Sequence, residues 1–148
     1  MTEEDKDRLR QAKADVSALL ASTRIERYRL SDVDSRLESY VREVASHPDG
    51  HNLYEQLAVA RFLRLCDKYG INATEVWQFC DFYESLYFPG KTGQQRYKLT
   101  PVQYFQFASI FAFWVGPKRV VREVLLYVPR KFSKTTSTAS LAVYDLLY

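Results

Sequence analysis

The densest chemistry lies in the 23 residues from Leu125 to Leu147, LLYVPRKFSKTTSTASLAVYDLL. An aliphatic run, Val120 to Val128, feeds a short basic turn and then an apolar segment of helical character that opens near Lys134. A phosphate-binding loop needs that order of parts. A strand must lead into exposed amides, a lysine must reach the β- and γ-phosphates, a hydroxyl must ligate Mg²⁺, and a helix amino terminus must face the anion. Lys134 and Thr135 supply the lysine and the hydroxyl. The two glycines of the usual pattern are absent, with Val128 and Ser133 in their places. Spacing alone therefore leaves two readings open: a nucleotide site, or a basic loop that caps a structural helix.

The rest of the chain must position that loop. Residues Thr2 to Ala21 carry Leu9, Val16, Leu19 and Leu20 among many charges, the pattern of a solvated amphipathic helix whose thin apolar stripe needs a partner or frays. Ser31 with Asp34 predicts a helix start, and Val33, Leu37, Tyr40, Val41 and Val44 carry it to about Ser46. His47-Pro48-Asp49-Gly50 is a turn. Asn52 with Glu55 opens a second helix that runs to Gly70, and Thr74 opens a third, rich in aromatics, that runs to about Leu86. A loop is expected from Pro89 to Gly93, and the weakly patterned Thr23 to Leu30 is the one other candidate strand. Thr100-Pro101 starts a helix apolar nearly all round, stopped by Gly116-Pro117. Val120 to Val128 then reads as a buried central strand. Thirteen of the 22 aromatic residues fall between Trp77 and Trp114, so the core is expected there.

Composition narrows the classes. At 148 residues, 47% hydrophobic and 26% charged, the chain is sized and composed as one globular domain. Its longest apolar run, Ile110 to Val115, is far short of the roughly 20 residues that span a bilayer, and the charged start MTEEDKDRLR is no secretory signal. Two cysteines, Cys66 and Cys80, give no disulfide framework and suit a reducing cytoplasm as core residues. His47 and His51 lack the Cys or carboxylate spacing of a metal site. Residues 1–85 hold 12 Lys and Arg against 16 Asp and Glu, whereas residues 86–148 hold 9 against 2. The basic second part is expected to face phosphate.

Pro129, Arg130 and Lys131, followed after two residues by Lys134 and Thr135, resemble the phosphate loop of the large terminase subunits of tailed bacteriophages, the ATP-driven DNA-packaging motors. SRLESYVREV, FYESLYFPG, LTPVQYFQFASIFAF and RVVREVLLYV are similar to the region that precedes the loop in that family. The resemblance covers the chain from about Ser35 onward and is most specific over the last 50 residues. Ser133 departs from the family's usual glycine.

The resemblance implies a mainly α chain: a multi-helix lead-in over residues 1–98, then over 99–148 the first strand, P-loop and helix of a truncated α/β ATPase domain. It implies ATP and Mg²⁺ as cofactors of the intact protein. Pro129, Arg130, Lys131, Ser133, Lys134, Thr135 and Thr136 would hold the phosphates, Thr135 would ligate the metal, and Arg130 would act as an arginine finger in cis. Gln103 would contact adenine, although Thr100-Pro101-Val102-Gln103 is equally a capping box. The implied partners are the remainder of the large subunit, the small subunit, the portal and double-stranded DNA, with a homo-oligomer and no membrane, in the host cytoplasm. Hydrolysis in this class needs a second strand ending in acids. Asp145 is the one acid after Thr135 and falls in a helical segment, so the chain alone is expected not to hydrolyse ATP and to belong to a motor ATPase with a nuclease half. The rival expectation is a stand-alone, non-catalytic interaction module that binds other terminase or packaging components.

Overall fold

A computed structural model describes residues 2–90, 93–125 and 134–147. The first helix, α1 (Glu3–Ser22), is opened by a capping box in which the Thr2 hydroxyl accepts from the Asp5 amide and the Asp5 carboxylate accepts from the Thr2 amide. Pairs three or four residues apart, Lys6 with Glu3, Arg8 with Glu4 and Arg10 with Asp7, support its exposed first half. Val16 is its first partly buried apolar residue, and Leu20 alone is fully inside. The Thr23 to Leu30 segment is not a strand. Two 3₁₀ turns, Ile25–Tyr28 and Leu30–Asp32, pivot about Arg29 at φ 49° and press Ile25 and Leu30 into the core.

Helix α2 (Ser35–Ser46) ends where the sequence predicts but starts three residues later than a Ser31 cap would have it. Asp34 is the cap, because its carboxylate takes both the Arg36 amide and the Arg36 guanidinium. Helix α3 (Leu53–Tyr69) has the expected Asn52–Glu55 capping box and ends at Gly70, whose φ of 71° suits a residue without a Cβ. Helix α4 (Ala73–Ser85) is capped by Asn72, two residues before the expected Thr74. The expected loop after it is a hairpin, β1 (Tyr87–Gly90) against β2 (Gly93–Arg96).

Helix α5 (Pro101–Phe111) has the expected Thr100–Gln103 capping box but stops short of Gly116. Its last carbonyls are consumed elsewhere: the Trp114 indole donates to the Phe111 carbonyl at 2.7 Å and the Asn72 amide to the Ala112 carbonyl at 2.8 Å. Gly116-Pro117 instead turns a second hairpin, β3 (Trp114–Val115) with β4 (Lys118–Arg119). Gly116 has φ 56°, the positive φ that a II′ turn demands at its first central position. Helix α6 (Lys134–Leu147) closes the series.

The molecule is a helical assembly about α5, with two short antiparallel hairpins among the described residues. Helices α2 and α4 pack on α5, α3 meets it through Phe62 against Phe105 and also packs Phe62 on Phe113 just beyond it, and α1 lies along α3 and α2. Tyr144 of α6 touches Phe79 and Phe82 of α4 and Phe111 of α5. One buried cluster runs from Leu20 to Tyr144 across the residue 98–99 junction. Cys66 and Cys80 lie inside it, and burial pushes both thiols up to about 12.

The expected central strand requires correction. Its described portion, residues 120–125, is irregular, with Val124 52% and Leu125 94% exposed. A central strand needs hydrogen-bonded neighbours on both edges, and among the described residues no strand flanks this run. Residues 126–128 of it lie outside the described residues. No helix of the described residues is long and apolar enough to cross a membrane.

Candidate functional site

The first described residue of α6 is Lys134, and a phosphate-loop lysine would stand at the head of such a helix. Pro129, Arg130, Lys131 and Ser133 lie outside the described residues, as does the side chain of Lys134. In the first turn Thr135 is exposed, Thr136 is half-buried and its carbonyl accepts from the Ser140 hydroxyl at 2.9 Å, and Ser137 is buried. Ser137 faces the hydroxyl of Tyr83 on α4. That hydroxyl is fully buried without a hydrogen bond of good geometry among the described residues; desolvation raises its pKa, and the Ser137 hydroxyl offsets part of the rise.

The Tyr83 ring sits edge-on to Tyr97 at 5.3 Å, and Phe88 of the first hairpin closes the triangle at 5.9 Å from Tyr83 and 5.7 Å from Tyr97. Gln103 is the next link. Its Nε2 donates to the Tyr97 hydroxyl at 2.9 Å, while its Oε1 accepts from the Thr100 amide and the Thr100 hydroxyl, each at 3.0 Å. The first turn of α6 and Gln103 are thus joined through Tyr83 and Tyr97. The Gln103 carboxamide is buried and engaged at both ends, so adenine contact would have to break the cap. Its loss should cost about 1–2 kcal/mol, a helix cap plus a freed tyrosine hydroxyl. Urea denaturation of Gln103→Ala measures this, and a loss under about 0.3 kcal/mol would mean that the carboxamide contributes nothing as a cap.

Two features escaped the sequence reading. The first is a partly buried charge cluster on α2. Arg36 takes both oxygens of Asp34 at 2.9 Å, reaches Glu84 of α4 and the Leu99 carbonyl at 3.2 Å, and stacks over Tyr104 at 4.7 Å. Glu84 also accepts the Leu99 amide at 2.7 Å. The cluster ties α2, α4 and the entrance to α5 together. Nothing in the spacing of Asp34, Arg36 and Glu84 marks such a long-range contact.

The second is a basic groove of about 600 Å³ between α3 and the second hairpin, lined by Arg61, Lys118, Arg119 and Arg122, with Glu123 as its one acid. Arg119 is partly committed, stacking on Phe111 at 4.8 Å and lying 3.6 Å from Asp145. Three of its four basic residues, Lys118, Arg119 and Arg122, belong to the basic second part of the chain. Tyr87 at the rim of the first hairpin is stacked by Arg96 at 5.3 Å. No family model, curated protein or solved structure matches the chain.

Proposed function

We propose that the chain is the helical lead-in and phosphate-loop start of a DNA-packaging motor ATPase similar to large terminase subunits, contributing ATP contacts without hydrolysing ATP alone. One observation carries the reading. Lys134 is the first described residue of a helix, and the first described turn of that helix joins Gln103 through Tyr83 and Tyr97, bringing two separately singled-out segments to one neighbourhood. Lys134 would bind the β- and γ-phosphates, Thr135, whose side chain is exposed, would ligate Mg²⁺, and Arg130 would stabilise charge developing on the transferred phosphoryl group. Magnesium ATP, when bound, supplies the transferable phosphoryl group. The truncated P-loop domain, the remainder of the large subunit, the small subunit, the portal and the host cytoplasm belong to the same proposal. Double-stranded DNA is the partner whose phosphates suit the groove of Arg61, Lys118 and Arg122.

The second reading is a non-catalytic interaction module. It is favoured by the internal engagement of Gln103 and by the exposed, irregular Val124 and Leu125. Calorimetric titration with magnesium ATP separates the two. The motor reading expects a binding isotherm whose affinity falls at least about 10-fold in Lys134→Ala, a loss of about 1.4 kcal/mol, with no turnover in either protein. Equal traces for the two proteins would favour the interaction module. Magnesium-dependent turnover abolished by Lys134→Ala would overturn the absence of hydrolysis.

A further inference from the structure

The thin apolar stripe on α1 is only half covered. The helix meets α3 in parallel, Ser17 donating to the buried Gln56 at 2.8 Å near the start of α3. Since α3 begins three residues before Gln56, the part of α1 before Ala14, about 16 Å of helix at 1.5 Å per residue, extends past the beginning of α3. Leu9, Ala12, Val16, Leu19 and Thr23 repeat at alternating spacings of three and four, the seam of a two-helix contact. This seam flanks the face that Leu20 buries. It borders a groove of about 630 Å³ between α1 and α3, floored by Val16, Leu57 and Ala60 and edged by Arg61 and Arg64. Leu19 and Leu57, which line it, are 56% and 42% exposed, and Leu9, on the seam beyond it, is 45% exposed.

Charge says what lies there. The first turn of α1 carries Glu3, Glu4 and Asp5, whereas Arg24 follows its last turn, and Arg61 and Arg64 edge the groove. Arg24, Arg61 and Arg64 have no ion pair among the described residues, although eight other basic side chains there do. We infer that α1 of a second copy of this chain lies antiparallel in the groove, so that a two-fold axis at Ala14 sets Leu9 of each copy against Leu19 and Leu57 of the other. That register brings the acidic first turn of one helix, where Glu3 and Glu4 also pair with Lys6 and Arg8 and Asp5 caps Thr2, to Arg24 and Arg64 of the other in one self-complementary patch. A parallel pair would juxtapose acid with acid and arginine with arginine. The projecting half of α1 lacks an α3 beside it, so it enters the partner's groove without displacing a helix. This dimer is independent of the nucleotide reading, and Lys134→Ala leaves it unchanged.

Sedimentation equilibrium of the full chain over a concentration series tests it. The expected result is a monomer–dimer equilibrium whose dissociation constant rises at least about 30-fold in Leu9→Glu and in Leu19→Glu, with circular dichroism unchanged because both positions are exposed. Orientation is read by oxidation with copper phenanthroline. The double variant Leu9→Cys, Leu19→Cys should form covalent dimers, whereas Leu9→Cys alone should not, its two copies standing about 15 Å apart along the axis. Mass of a monomer at every concentration would overturn the inference, as would a dimer indifferent to Leu9→Glu or a covalent dimer from Leu9→Cys alone.

Discussion

Phe79→Ala is expected to lower the unfolding free energy by about 3–5 kcal/mol, a large share of the roughly 5–15 kcal/mol that holds a domain of this size together. Phe79 is completely buried on α4 and meets aromatic rings on three helices. It stacks on Phe111 at 4.5 Å with 16° between planes, packs on Phe107 at 4.6 Å, and receives Tyr144 of α6 edge-on at 5.1 Å. Deleting the ring leaves a cavity that large aromatic neighbours cannot collapse into, and α6 loses its main foothold. Denaturation with urea measures the total, and near-ultraviolet circular dichroism reports the Tyr144 contact. A loss below about 1.5 kcal/mol would show that the cluster repacks, and would remove Phe79 as the link between α4, α5 and α6.

The next largest effect belongs to Arg36→Ala, expected to cost about 2–3 kcal/mol, below the range for a fully buried pair because water still reaches part of the cluster. The guanidinium serves Asp34, Glu84, the Leu99 carbonyl and the Tyr104 face at once, so its removal takes the paired cation from both carboxylates and leaves Asp34 with the charge of Lys98. The pH dependence carries a sharper signature. Burial alone would raise the Asp34 pKa, but the Arg36 side chain and backbone amide outweigh it and hold the carboxyl below its usual value. The unfolded chain therefore takes up this proton first as pH falls. The associated stability is complete above the ordinary aspartate range and is lost as pH drops toward the folded value. Wild type should lose more stability than Arg36→Ala between neutral pH and about pH 3. Parallel losses in the two proteins would refute the assigned role of Arg36.

The ends of most helices were legible because local hydrogen bonding fixes them. Asn52 with Glu55, Thr100 with Gln103, and Gly70 all act where the sequence puts them. The start of α2 was misread because Asp34 outcompetes Ser31 through Arg36, a residue whose other contacts lie 48 and 63 positions away. The stop of α5 was misread because a Trp114 indole and an Asn72 amide, invisible to periodicity, claim its carbonyls. Val120 to Leu125 has the composition of a buried strand, yet composition cannot supply the neighbours that a strand requires. Near the candidate site the helix over Lys134–Leu147 was legible. The route from Gln103 through Tyr97 and Tyr83 to Ser137 was not, since it is assembled from three helices and the hairpin connection.

The two hairpins bear on solubility. Each is a sheet of two strands within the described residues, so every strand is an edge able to template another chain. The β3–β4 ladder is only two residues per strand and carries Lys118 and Arg119. In the longer β1–β2 ladder, Pro89 removes an amide donor from one edge and Arg96 charges the other. Shortness, proline and charge are protections against edge-to-edge aggregation, and they leave the face between α1 and α3 as the surface through which copies of this chain associate in an ordered way.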